Sequence, residues 1–127
     1  MAHDIFESIH KGLEGSDLNA LMSVYDDNAE LELIDHDHPP SLPRLISGKE
    51  EIAEYFKAIL DRPRSHHVED EVMGDSHLAF TDSCEYPDGT RVFTSSMATL
   101  KKGRIVREVN VQAWDEASPY VKFEDTV

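Results

Sequence analysis

The sequence predicts an α+β fold: three N-terminal helices, with one strand between the second and the third, followed by two hairpins of strands. Three observations carry this expectation. Apolar residues recur at helical spacing in three segments before residue 61. After that point apolar and polar residues alternate along four segments separated by turn residues. The length of 127 residues, 39% of them apolar, suits one domain with one core and argues against disorder.

The first helix is read from Ile5, Phe6, Ile9 and Leu13, with Asp4 and Glu7 at capping-box spacing and Gly15 ending it. Asp17 caps a second helix whose Leu18, Leu21, Met22 and Tyr25 share one face, and Asp26-Asp27-Asn28 breaks it. Residues 29–34 alternate, with Leu31 and Leu33 opposite Glu30 and Glu32, as a half-buried strand does. A loop follows over 35–43, carrying His36, Asp37, His38 and three prolines.

Ser47 and Glu50 have capping-box spacing at the head of the third helix. Its Ile52, Tyr55, Phe56, Ile59 and Leu60 fall at i, i+3, i+4, i+7 and i+8. Strands are expected over 67–73, 78–86, 91–101 and 104–114, with turns at Gly74-Asp75, Pro87-Asp88-Gly89 and Lys102-Gly103. Nothing splits residues 1–127 into two domains, and the acidic tail from about residue 115 reads as peripheral.

A formal charge of −14 argues against nucleic acid and anionic membranes, because both need a basic surface. It disfavours an anionic ligand unless the pocket reverses the sign locally. The single Cys84 excludes an intramolecular disulfide and fits a reducing, cytoplasmic location. No signal-like segment opens the chain, and no apolar run approaches the ~20 residues of a membrane helix.

Three motifs, in order, resemble the nuclear transport factor 2-like superfamily, which includes SnoaL-like cyclases and ketosteroid isomerase-like proteins. Tyr25-Asp26-Asp27-Asn28-Ala29-Glu30-Leu31 is similar to that family's entry into the first strand. Gly48-Lys49-Glu50-Glu51-Ile52-Ala53-Glu54-Tyr55-Phe56 resembles its third-helix start, and Gly103-Arg104-Ile105-Val106 its last hairpin. The resemblance spans residues 6–114. It implies a cone-shaped roll, with a curved, mainly antiparallel sheet wrapped around the helices to leave a conical pocket.

Ketosteroid isomerases place an Asp base after the first strand, with a Tyr and a protonated acid as oxyanion donors. On the register the resemblance implies, those positions fall on Leu33, near Ile9 and near Ser96. All three differ, so steroid isomerisation itself is not expected. Asp35 stands two residues past the base position on the same strand face and offers a replacement carboxylate.

The same register turns Val92, Thr94, Ser96 and Ala98, then Val106, Glu108, Asn110, Gln112 and Trp114, into the cone. It leaves Phe93, Met97, Ile105, Val109, Val111 and Ala113 on the outer face, where the resemblance implies a homodimer contact. Glu108 beside Asn110 and Gln112 is the sharpest polar cluster: a carboxyl in an apolar cavity with amides to orient a water or an oxyanion. A one-residue slip would instead turn this trio to solvent.

Several other residues carry two readings. His36-Asp37-His38 with Asp35 could ligate zinc or shuttle protons, but a solvated turn without metal is expected. One ring of His66-His67 is expected to cap helix carbonyls, and Cys84 to be a small core residue. Asp82 is either at a frayed edge or a pocket acid. Tyr25 and Tyr55 read as core residues whose hydroxyls reach the cavity rim.

The expected function is a pocket for a small, largely apolar organic molecule. As an enzyme it would carry out proton transfer or hydrolysis without a cofactor, with Glu108 or Asp35 as base. Asn110, Gln112, Ser96, Thr94, Trp114, Leu33, Tyr55 and Phe56 would line the site. The alternative is a non-catalytic ligand-binding or dimeric interaction domain of the same fold.

Overall fold

The computed structural model describes residues 2–115. Helix α1, Ala2–Leu13, buries Ile5, Ile9 and Leu13. Its proposed Asp4 cap lies outside the described side chains. Helix α2 is short, Leu18–Met22, and the Asp17 carboxylate accepts from the Ala20 N–H as its N-cap.

Tyr25 does not close that helix. It opens strand β1, Tyr25–Ile34, where it is 2% exposed. The helical spacing from Leu18 to Tyr25 is real, but the Val24 N–H already bonds the Leu21 carbonyl in a tightened end turn, and the chain leaves the helix there.

The loop over 35–43 leads into a short strand, β2, Arg44–Ser47, that the sequence pattern did not announce. It pairs antiparallel with β1, Leu31 opposite Ile46. Ser47 therefore belongs to a strand and caps nothing. Gly48, at φ 90°, is the N-cap of α3, Lys49–Leu60, a backbone angle that glycine adopts without strain. Strands β3, Ser65–Met73, β4, His77–Glu85, β5, Arg91–Lys101, and β6, Arg104–Trp114, follow. Lys102 and Gly103, at φ 53° and 77°, form the two-residue turn between β5 and β6.

The six strands make one sheet in the order β2-β1-β6-β5-β4-β3. Every neighbouring pair is antiparallel except β1 and β6, which run parallel. Irregularities at Tyr25/Glu30, Glu69/Val72 and Thr99/Leu100 interrupt the ladders, and such bulges bend and twist a sheet. The helices pack on one face, with Leu21, Ile52 and Phe56 closing over Leu31, Leu33, Leu78 and Ala98. The other face carries Phe93, Met97 and Val111 in the open.

The bulge beside Leu100 corrects the expected parity of β6. Thr99 pairs with Arg107 but Leu100 pairs with Ile105, so Val106 is the extra residue. Ile105 is consequently buried in the core and Val106 is not, the reverse of strict alternation. From Glu108 onward the alternation holds: Glu108 and Asn110 are buried, and Val111 is exposed.

Candidate functional site

The strand registers arrange the helix-facing residues of the sheet in four ranks. The innermost is Leu31, Glu108, Ala98 and Leu78. Next come Leu33, Asn110, Ser96 and Phe80, then Gln112, Thr94, Asp82 and Val68. The outermost rank is Trp114, Val92, Cys84 and His66. Successive ranks lie about 6.6 Å apart along the strands. Helix α3 closes the space with Tyr55, Phe56 and Ile59, leaving a cavity of about 490 Å³. All ten residues read from the sequence as site residues line it.

Glu108 sits at the deep end, 1% exposed. The Tyr25 hydroxyl donates to Glu108 Oε1 over 2.5 Å. Burial pushes the Glu108 pKa up, and hydrogen bonding from Tyr25, Ser96 and Asn110 works against that rise. Burial, followed by the neighbouring Glu108 charge, pushes the Tyr25 hydroxyl well above its ordinary value. The carboxyl is thus closer to its protonated form at neutral pH than a solvated glutamate.

A chain of polar side chains runs from Glu108's neighbours to the mouth. Asn110 Nδ2 donates to Ser96 Oγ over 3.1 Å, and Gln112 Nε2 donates to Asn110 Oδ1 and to Tyr55 Oη, each over 3.0 Å. Trp114 Nε1 in turn donates to Gln112 Oε1 over 3.2 Å, while its ring stacks on Tyr86. The amides hold one another in fixed orientations and leave few donors unspent.

Asp35 lines the mouth, and its carboxylate is already engaged. Oδ1 accepts from the backbone N–H groups of Asp37 and His38 and lies 2.9 Å from His38 Nδ1. Burial raises its pKa, but the His38 and backbone hydrogen bonds win and leave it lowered. The loop histidines do not converge: His38 is tied to Asp35, while His36 is exposed beside Asp37. Among the described residues no group of three or more His, Cys, Asp or Glu is placed to hold a metal ion.

The structure also assembles a pair that sequence reasoning kept apart. His66 Nδ1 lies 2.8 Å from Asp82 Oδ2, and their side chains are only 5% and 10% exposed. His66 does not cap helix carbonyls; Arg64 does that, donating to the Ile59 carbonyl. Asp82 is inside the cavity wall rather than at a frayed edge. His66 Nε2 and Asp82 Oδ1 are buried without a hydrogen-bond partner. Each such atom costs about 1–3 kcal/mol when left unpaired. The two stand sixteen positions apart in the chain, and the β3–β4 pairing brings them together. The sole sequence signal was the parity of Asp82 with Phe80 and Cys84.

Arg64 completes this end of the wall. Its guanidinium stacks over the Tyr86 ring at 4.7 Å and donates to the Tyr86 hydroxyl over 2.7 Å. Cys84 is buried beside it, and burial pushes its thiol pKa up, which suits a packing role.

The sequence matches no family model and no curated protein. Solved structures do match. A protein of unknown function from Mesorhizobium loti, described as NTF2-like, superposes with a TM-score of 0.76 at 16% identity, covering 88% of this chain and 90% of that one. A candidate ketosteroid isomerase from Kribbella flavida gives 0.71 at 14% identity, covering 92% and 79%. An NTF2-like protein of unknown function from Burkholderia xenovorans gives 0.70 at 19% identity, covering 95% and 92%. At these identities the likeness establishes the fold.

Proposed function

The chain has the nuclear transport factor 2-like fold, and from that premise we propose that it catalyses proton transfer on a small, largely apolar molecule held in the cavity. The observation that carries this reading is Glu108: a carboxyl at the bottom of a ligand-sized cavity, with a pKa raised by burial and a Tyr25 hydroxyl on one oxygen. A raised carboxyl exchanges protons with a bound molecule near neutral pH, where a solvated glutamate is too weak a base. Leu33, Phe56 and Phe80 supply the apolar walls. Asp35, bound up in its own turn, is the weaker choice of base.

Proton exchange in heavy water provides the test. Small cyclic ketones and enones are incubated with the protein, and deuterium uptake at the carbon next to the carbonyl is followed by mass spectrometry. The C–H bond breaks, Glu108 takes the proton, and a C–D bond forms from solvent-exchanged carboxyl. The expected result is uptake above the rate in buffer, reduced at least 100-fold in Glu108→Gln with binding largely kept. Compounds that raise the melting temperature but never exchange would support the alternative, a non-catalytic ligand-binding member of the same fold.

A further inference from the structure

The mouth half of the cavity holds a second polar centre that the Glu108 reading does not use. His66 and Asp82 are more than nine-tenths buried or at that limit, both line the cavity, and each has one polar atom with no partner. Buried polar atoms are almost always paired, so two orphans on one bonded pair of side chains mark a place that something else fills. We propose that His66 and Asp82 form a hydroxyl-recognition site, and that the ligand is a small alcohol or phenol with an otherwise apolar body. This rests on the reading of the cavity as a ligand site and adds the ligand's class.

The chemistry follows from the pairing. Nδ1 is held by Asp82 Oδ2, which leaves Nε2 as the ring nitrogen still without a partner. Asp82 Oδ1 is the second unpartnered atom of the pair. A hydroxyl can donate to the carboxyl oxygen and can either donate to or accept from the ring nitrogen, and an ether can donate to neither. Thr94 stands opposite Asp82 and Cys84 opposite His66, and neither supplies the missing bond. A site built on a buried hydrogen bond rejects the analogue that lacks the hydroxyl far more strongly than an apolar wall rejects a change of size.

The probes are 2-naphthol and 2-methoxynaphthalene, which share a ring system small enough for about 490 Å³ and differ in the donor. Binding is followed by the probes' own fluorescence. The expected result is at least tenfold tighter binding of 2-naphthol to the native protein. The preference should weaken in His66→Phe and vanish in the paired variant His66→Phe with Asp82→Leu, which leaves no stranded carboxylate if the single variant fails to fold. Equal affinity for the two probes, or no binding of 2-naphthol at millimolar concentration, would overturn the assignment. A preference abolished by Glu108→Gln and kept in the His66 variants would place the hydroxyl at the deep end and overturn it too. Because binding is read directly, failure of the deuterium-exchange test leaves this result standing, and the reverse holds equally.

Discussion

Tyr25 and Glu108 stand 83 positions apart in the chain and share a 2.5 Å hydrogen bond at the bottom of the cavity. The contact exists because β1 and β6 run parallel side by side, with Leu31 directly beside Glu108 and Tyr25 beside Ile105. It ties the first strand to the last through side chains as well as backbone. Tyr25→Phe keeps the ring, which packs 6.0 Å from Phe56, and removes only the hydroxyl. The carboxyl then loses its strongest donor while staying buried. Urea unfolding should show a loss of about 1–3 kcal/mol. A change within 0.3 kcal/mol would mean that the bond adds nothing to the fold.

Glu108→Gln should behave in the opposite sense at neutral pH. The folded-state pKa of Glu108 is raised by burial, so the folded chain holds its proton more tightly than the unfolded chain. The stability this contributes is complete below the unfolded value of about 4.5 and declines as pH rises through the folded value. Glutamine carries no such charge and can still accept from Tyr25. The stability of the native protein relative to the variant should therefore fall between pH 4.5 and neutrality. Paired denaturation curves across that range check it, and a difference that rises with pH would sink the argument.

Residue parity explains how far the sequence could be read. A strand that buries one face writes its register into the alternation, and from Glu108 to Trp114 that signal was enough to choose the cavity-facing set. Val106 broke the same rule because one bulged residue reverses every side chain before it. Tyr25 satisfied a helical and an extended reading equally, since both bury it. The four residues of β2, with Arg44 and Leu45 exposed, carry no periodicity to detect. The His66–Asp82 pair was illegible for a different reason: it depends on which strands lie side by side, and no local pattern records that.

At Gly12, helix α1 packs directly against Leu21 of helix α2. A Cβ there would lie 2.5 Å from Leu21 Cβ and 2.9 Å from Leu21 Cα. Alanine inside a helix ordinarily gains about 0.5–1 kcal/mol over glycine, and Gly12, in the last turn of α1, has at most that to gain, whereas overpacking against a backbone that cannot swing aside costs about 1–3 kcal/mol. The clash should win. Gly12→Ala is expected to lower stability by about 1–2 kcal/mol with an unchanged circular dichroism spectrum, while a more stable variant would show that α2 shifts freely.

The outer sheet face is proposed to bury itself against a second copy of the chain. Phe93, Met97 and Val111 are 49%, 61% and 44% exposed on strands β5 and β6. The register makes them contiguous: Val109 lies beside Met97, Ala113 beside Phe93, and Val111 between them beside Ser95. A chain with 26 acidic and 12 basic residues has ample charge to cover its surface, yet these positions carry none. A patch of this kind marks a contact, and a two-fold pairing needs no second protein, because each copy offers the other the same face. Sedimentation at micromolar concentration should give a dimer for the native chain. Met97→Glu should give a monomer that keeps its fold, because the new charge would sit unpaired at the centre of the interface. A monomeric native chain would remove the proposal, and a Met97→Glu dimer would move the contact to another face.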